Sequence, residues 1–374
     1  MARRGSSSSP SRRPSRAAGS TRATAASTWG SRRTSESGCR GPPADGSDST
    51  DQTRQIELNV EEQVGTASTT GWFFSRGQLK RDGWESVVDS SLDGWTYTGI
   101  RIAELDDAAA QLPTESVERI VVPLSGSFRI DYTVDGAQYS QKLAGRASVF
   151  HGPTDVLYLP TGAGLTVTGT GRVAVAEAPS TTTFPAAYIP ADVVPVELRG
   201  AGRSSRQVHN FGTPGNLDAD RLIVCEVLTP AENWSSYPPH KHDEEIPGQE
   251  SQLEEIYYFE TAVTRGVTAP ASAAPFGYMR TYASEAGPID TLAEVHTGDI
   301  ALVPHGWHGP CVAAPGYDLY YLNVMAGPGA ERIWQISDDP AHTWVRDTWT
   351  GQAIDPRLPF VPDPIPAAPE RTAS

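Results

Sequence analysis

The sequence predicts an all-β protein built from two consecutive β domains. Its 374 residues exceed the usual size of one domain, and 31 prolines and 35 glycines interrupt nearly every apolar run. Such interruption disfavours long helices and is typical of short strands joined by turns. Seven of the eight histidines lie beyond residue 200, so we expect the chemistry to reside in the second domain.

The two ends of the chain differ in composition from its body. Residues 1–54 are rich in serine and arginine, with Trp29 as their only aromatic residue. Such a composition buries too little apolar surface to fold and predicts a disordered extension, which we interpret as an upstream addition rather than a transit peptide. Residues 355–374 contain six prolines and are predicted to form an extended or disordered tail.

The charge and the cysteines narrow the range of partners and compartments. The formal net charge is −15, and because residues 1–54 carry +6, the rest of the chain carries −21. An acidic body argues against nucleic acid as a partner. No apolar run approaches the roughly 18–20 residues that span a bilayer, so we expect no membrane contact. Three scattered cysteines predict no disulfide framework and favour a reducing cytoplasm.

The first domain is predicted to span residues 55–195. Glycine and aspartate turns divide it at hairpin spacing. Its single histidine, His151, lies in a turn, where an imidazole is more often solvated or capping than bound to a metal. We therefore expect this domain to supply packing or assembly surface. Its predicted strands are residues 95–105, 118–134, 156–159 and 165–178.

The second domain is predicted to span residues 196–354. A polar stretch at 243–252 contains a proline and a glycine and predicts a loop that borders the site. Residues 339–349 begin with Asp-Pro and predict a short helix with packing aromatics. The predicted strands of this domain are residues 221–228, 253–259, 276–282, 300–303 and 318–325.

A histidine pair in the second domain indicates a metal site. Side chains alternate between the two faces of a β-strand, so His240 and His242 share one face and Lys241 takes the other. A strand headed by two glutamates follows, and a second pair of histidines, His305 and His308, lies at a tight turn around Gly306. Three imidazoles and one carboxylate suit Zn²⁺, Mn²⁺, Fe²⁺ or Ni²⁺, and the pattern does not separate these ions.

Two positions in this pattern each have two candidates. Glu254 and Glu255 compete for the carboxylate role because alternation sends them to opposite faces. If Glu255 shares the cavity face, Glu254 points outward as an ordinary solvated glutamate. His305 and His308 compete in the same way, and His305 would be exposed in the turn.

The order of these motifs resembles that of the cupin superfamily, in which H-x-H and a glutamate precede a glycine-turn histidine. The spacer before Glu255 is longer than in most cupins, and His308 follows Gly306 one residue sooner. The segments SYPPHKHD, LEEIYYF, PGYDLYYLNVMAGP and DPAHTW resemble the 5-deoxy-glucuronate isomerases of inositol catabolism, a family related to the 4-deoxy-5-hexulosonate uronate isomerases. In the first domain, ERIVVPLSGSFRI also resembles that family, so the resemblance covers residues 56–359.

The resemblance implies a bicupin, two jelly-roll barrels in tandem, with a divalent metal in the C-terminal barrel. Its ligands would be His240, His242, Glu255 and His308. The implied reaction is the metal-dependent aldose–ketose isomerisation of 5-deoxy-D-glucuronate to 5-dehydro-2-deoxy-D-gluconate in myo-inositol degradation. Glu255 is the candidate base, and a homo-oligomer is expected by analogy.

The substrate would be a small sugar acid, whose carboxylate needs a cationic partner. Arg280 on the segment GYMRTY is our candidate, since its planar fork binds carboxylates bidentately. Tyr282 lies two residues on, faces the same way, and would assist.

Two other functions use the same residues. A cupin dioxygenase would hold Fe²⁺ or Cu²⁺ on the same ligands, with O₂ at an open position. A non-catalytic sugar-binding bicupin would keep the barrels without the reaction. A fold alone does not choose among these functions.

Overall fold

The computed structural model describes residues 71–361. The predicted extension at 1–54 and most of the predicted tail lie outside this range. Within it the chain forms short 3₁₀ helices at Val149–His151, Ala191–Val193, Gly202–Ser204 and Thr343–Trp349. None of the helices in the described part is long and apolar enough to cross a membrane.

Residues 71–361 also contain twenty β-strands. The strands are β1 Phe73–Phe74, β2 Ser86–Val88, β3 Gly99–Leu112, β4 Val117–Val134, β5 Ala137–Arg146, β6 Val156–Leu159, β7 Gly164–Pro179, β8 Ala187–Ile189, β9 Val196–Arg199, β10 Arg206–Gly212, β11 Ile223–Thr229, β12 Trp234–Ser235, β13 His240–Lys241, β14 Glu254–Val263, β15 Gly277–Ser284, β16 Gly287–Val295, β17 Ile300–Val303, β18 Trp307–Ala313, β19 Tyr317–Ala326 and β20 Ser337–Asp338. The nine predicted strands are all present, which confirms the all-β class.

The strands form three sheets. Sheet 1 has the order β2-β3-β7-β4-β6-β8, with β5 paired to β4. Sheet 2 has the order β1-β17-β14-β19-β11-β10-β9, and sheet 3 the order β16-β15-β18-β13-β20, with β12 paired to β18. Neighbouring strands run antiparallel.

Three hydrophobic cores show how the sheets pack. On β4, Val121 faces a core enclosed by sheet 1, whereas Ile120 and Val122 face a core shared with sheet 2. On β14, Ile256 joins that shared core, while Tyr257 faces a third core between sheets 2 and 3. The chain is therefore two cupin barrels in tandem that pack back to back, and the strands between the cores are apolar on both faces.

The first strand departs from the predicted domain organisation. Phe73 and Phe74 of β1 pair with Ala301 and Ile300 of β17, so a segment from the predicted first domain extends a sheet of the second barrel. The boundary between residues 195 and 196 stays a prediction.

A buried polar network ties the two barrels together. The guanidinium of Arg146 donates two hydrogen bonds of 2.7 Å to the carboxylate of Glu226. That carboxylate also lies 2.6 Å from Nδ1 of His209 and accepts a hydrogen bond from the hydroxyl group of Tyr320. Burial raises the pKa of Glu226, but Arg146 and His209 outweigh it and lower the pKa to about 2. Glu226 is therefore held ionised at the barrel interface.

Candidate metal centre

Three histidines meet inside the second barrel. His240 on β13 lies opposite His308 on β18 in the antiparallel register, and His242 follows two residues later on the same face. The ring centroids of His240 and His242 lie 4.4 Å and 4.6 Å from that of His308. Ligand atoms of all three side chains lie within 4.8 Å of one another. The structure thus brings together the three predicted histidines.

Glu255 reaches the same point from the opposite sheet. Its Oε2 lies 3.0 Å from Nε2 of His242 and 3.1 Å from Nε2 of His308. Burial raises the pKa of Glu255, but its interactions with these two imidazoles outweigh it and lower the pKa to about 2. The carboxylate is therefore ionised, as a metal ligand must be, and for the same reason it is a weak general base.

Backbone carbonyls orient the imidazoles. Nδ1 of His242 lies 3.1 Å from the carbonyl oxygen of Leu253, and Nδ1 of His308 lies 3.0 Å from that of Gly306. In the tautomer with the proton on Nδ1, these contacts hold each ring so that Nε2 faces the shared point and can bind a metal ion. Burial and the two neighbouring imidazoles hold the pKa of His240 well below its usual value, so this ring is neutral.

The donor set fits a divalent cation. Nε2 of His308 is buried and, although it lies 3.1 Å from Oε2 of Glu255, makes no well-aligned hydrogen bond among the described residues. A buried polar atom without a partner is costly unless a ligand satisfies it. Three imidazoles and one carboxylate are ligands that zinc, manganese, iron and nickel accept.

The turn before His308 is held by the strand that carries His242. The Asp243 carboxylate accepts hydrogen bonds from the backbone N–H of Gly306 at 2.8 Å and from the hydroxyl of Ser284 at 2.5 Å. Gly306 has φ +99°, and a Cβ there would lie 2.7 Å from the carbonyl oxygen of Tyr282. Glycine is needed for this turn, which sets the approach of His308.

A second group of carboxylates lies on the outer side of β13, where the predicted loop at 243–252 folds back. Asp243, Glu244 and Glu250 surround Nζ of Lys241 at 2.6, 2.7 and 2.9 Å. Burial lowers the pKa of Lys241, but these hydrogen bonds outweigh it and raise the pKa above its usual value. The ammonium group of Lys241 is therefore the cation that these three carboxylates bind. It lies on the face away from the histidines, as strand alternation predicts.

Within each of the two candidate pairs, Glu254 and Glu255 and His305 and His308, one side chain lies in the histidine cluster and the other does not. His305 lies in the turn, with Nε2 3.3 Å from the carbonyl oxygen of Pro288, and does not join the cluster. Glu254 faces away from the histidines, but the expectation that it is solvated is wrong. Its carboxylate is buried and accepts the backbone N–H groups of Thr96 at 3.0 Å and Tyr97 at 2.6 Å.

The structure does not bring Arg280 and Tyr282, the residues predicted to bind the substrate, to the histidines. Thr281 lies opposite His308 and is buried on the inner face of β15, so its two neighbours project from the outer face. Arg280 donates to the carboxylate of Asp290, and Tyr282 donates to that of Asp339. Their spacing was right, but the sequence did not reveal which face of β15 is internal.

An arginine that the sequence analysis did not select approaches the barrel interior. On β10, Val208 contributes to the core between sheets 2 and 3, and Arg206 shares its face by alternation. The guanidinium of Arg206 donates to the backbone carbonyls of Ser204 at 3.1 Å and Tyr237 at 3.4 Å. No local signal identifies it, because its neighbours in space come from distant parts of the chain.

Comparison with known proteins places the chain in a family. A family model described as KduI/IolB matches residues 73–345. The chain belongs to the KduI/IolB family. A relative from Geobacillus kaustophilus (strain HTA426), named 5-deoxy-glucuronate isomerase, is 39% identical over 259 residues, which cover 68% of this chain and 88% of the relative. One of the same name from Lacticaseibacillus casei is 36% identical over 265 residues, covering 70% and 92%.

Solved structures agree with this KduI/IolB assignment. An IolB-like protein from Salmonella typhimurium LT2 has a TM-score of 0.65 and 32% identity, and the match covers 74% of this chain and 99% of that one. An oxalate decarboxylase from Lactobacillus farciminis has a TM-score of 0.51 at 10% identity, covering 72% and 89%. The second likeness concerns the fold alone.

Proposed function

We propose that this protein is a 5-deoxy-glucuronate isomerase that uses a divalent metal ion held by His240, His242, His308 and Glu255. The observation that carries the proposal is the buried cluster of three histidines and a carboxylate. The chain that holds it is 39% identical to a relative named for this activity. Myo-inositol degradation, a cytoplasmic location and a homo-oligomeric state belong to the same proposal.

The reaction moves hydrogen between two adjacent carbons. The proton on C2 of 5-deoxy-D-glucuronate moves to C1, and the proton of the C2 hydroxyl moves to the C1 oxygen, so that C2 becomes a ketone and C1 a hydroxymethyl group. A divalent ion held by the three histidines and Glu255 would supply Lewis-acid polarisation of the substrate. The protein's part is to hold both oxygens in one plane and keep the transferred proton from bulk water.

The three histidines and Glu255 form a rigid support for this arrangement. All four side chains are at most 9% exposed, and backbone carbonyls fix the rings of His242 and His308. The site therefore needs little rearrangement when it binds a ligand, which favours catalysis by positioning.

Aromatic side chains line the adjoining wall. The ring of Tyr257 lies 6.2 Å from that of His308 and 5.2 Å from that of Tyr321. Its hydroxyl lies 3.0 Å from that of Ser236. This wall excludes water from one side of the site and leaves polar groups at its edge.

The test is a product assay combined with metal analysis on one sample of the full chain. We expect 5-deoxy-D-glucuronate to yield the 2-ketone product by NMR, the activity to disappear after chelation, and one divalent ion per site to restore it. Unchanged activity in the fully metal-free protein would refute the metal requirement. Oxygen uptake without isomerisation would favour the dioxygenase, and binding without turnover would favour the non-catalytic bicupin.

A further inference from the structure

Arg206 is a buried cation without an acidic partner. Its residue is 9% exposed, and its hydrogen bonds go to two backbone carbonyls. Among residues 71–361 no carboxylate lies within ion-pair distance of its guanidinium. Burial lowers the pKa of Arg206 to about 10, so the side chain still carries its charge at neutral pH. A buried charge without a partner is costly and favours an anionic ligand.

Two neighbouring arginines are already paired. Nε of Arg199 lies 2.8 Å from Glu197, and its guanidinium stacks over the ring of Trp334. Arg346 binds the carboxylate of Asp338 through two nitrogens. Arg206 is therefore the arginine in this group that is available to a ligand carboxylate.

The position of Arg206 connects it to the histidine cluster by two routes. One route is the segment that leads into β13, because Arg206 donates to the carbonyl of Tyr237, three residues before His240. The other route runs through the rim of the barrel. Asp338 lies opposite His240 in the register of β13 and β20, and directly opposite residues share a face.

The rim route ends at one tryptophan ring. Asp338 binds Arg346, whose guanidinium lies 5.4 Å from the ring centroid of Trp349. The guanidinium of Arg206 lies 5.8 Å from the same centroid. Arg206 and Trp349 therefore stand on the side of the barrel toward which His240 projects.

We propose that Arg206, backed by Trp349, binds the carboxylate of the sugar acid while the aldehyde end of the same molecule lies at the histidine cluster. This assignment rests on the proposed function. A guanidinium pairs bidentately with a carboxylate, and burial makes that pair selective because a neutral group leaves the cation unsatisfied. Arg206 thus acts in substrate binding and specificity and takes no part in proton transfer.

The test compares an acid with a neutral sugar in three variants. The substrates are 5-deoxy-D-glucuronate and its analogue with a hydroxymethyl group in place of the carboxylate. We expect Arg206→Met to raise KM for the acid by roughly 10- to 100-fold, as lost charged hydrogen bonds do, with kcat and the neutral analogue little changed. Arg206→Lys should recover part of the affinity. Arg280→Met, a matched control on the outer face, should stay within about twofold of the parent.

A structural role would give a different result. If Arg206 only supports the loops of Ser204 and Tyr237, Arg206→Met will lower activity on the acid and the neutral sugar equally, and that outcome overturns the proposal. An unchanged KM for the acid also overturns it. Should Arg206→Met fail to fold, Trp349→Ala on the rim replaces it, and a loss of preference for the acid is again the expected result.

Failure of the proposed function is separable from failure of this assignment. Calorimetric binding of D-glucuronate and D-glucose to the metal-loaded protein needs no turnover. The parent should prefer the acid and Arg206→Met should lose the preference, even if no isomerisation of 5-deoxy-D-glucuronate occurs. Equal binding of both sugars by the parent would overturn the carboxylate site alone.

Discussion

Glu254 and Glu255 are adjacent on β14 and serve opposite sides of its sheet. Oε2 of Glu255 lies 3.0 Å from Nε2 of His242 inside the second barrel, whereas the carboxylate of Glu254 accepts backbone N–H groups of Thr96 and Tyr97 in the first. One strand thus supplies a carboxylate to the histidine cluster in the second barrel and a carboxylate to backbone N–H groups of the first.

Substituting the two glutamates should separate metal binding from stability. We expect Glu255→Gln to lower the bound metal by roughly tenfold or more, since a neutral amide replaces an anionic ligand. Glu254→Gln should keep the metal and activity and cost about 1 kcal/mol of unfolding free energy through weaker hydrogen bonds. Metal analysis and urea unfolding of both variants check this. Equal metal contents would contradict the assignment of Glu255.

The two histidines near the Gly306 turn provide a second matched pair. His308→Ala should abolish metal binding and activity together, because the side chain of His308 is one of the three imidazoles in the cluster. His305→Ala should leave both within about twofold, since its Nε2 lies 3.3 Å from the carbonyl oxygen of Pro288 and its ring lies outside the histidine cluster. Metal content and turnover are measured for both variants. An inactive His305→Ala protein that retains its full metal content would show that His305 has a role of its own.

Acid should weaken the protein through Glu226. Its pKa is lowered from 4.5 to about 2 in the folded state, so its stabilising effect is complete above pH 4.5 and is lost as pH falls toward 2. The loss from this group is on the order of 3 kcal/mol. Urea unfolding between pH 7 and pH 2 measures it. Glu226→Gln should start less stable at pH 7 and show a shallower decline below pH 4.5, whereas a decline as steep as the parent's would count against this origin.

Two cysteines should resist modification in the native state. Cys225 and Cys311 are buried, and burial raises the pKa of Cys225 to about 12 and that of Cys311 well above its usual value. Thiolate is the reactive form, so iodoacetamide should label neither residue before unfolding and both afterwards. Peptide mapping reads the two sites separately. Rapid native labelling of Cys225 would show that sheet 2 opens at β11.

The fold class and the side chains that form the histidine cluster were predictable because their signals are local. Proline and glycine punctuation shows in the composition, and the spacing of His240 and His242 places them on one face of any strand. The resemblance to a known family then selected Glu255 and His308 from their neighbours. Each of these inferences needs only a few consecutive residues or a shared motif.

The tertiary structure alone decided what lies on the two sides of each strand. Alternation groups Arg280 with Tyr282 but does not say that their face of β15 is external, where Arg280 contacts Asp290 and Tyr282 contacts Asp339. The burial of Glu254 depends on the first barrel packing against sheet 2. Arg206 meets Trp349 although 143 positions separate them in the chain. Local sequence determines the period of a strand, and packing between distant segments determines which face becomes the inside.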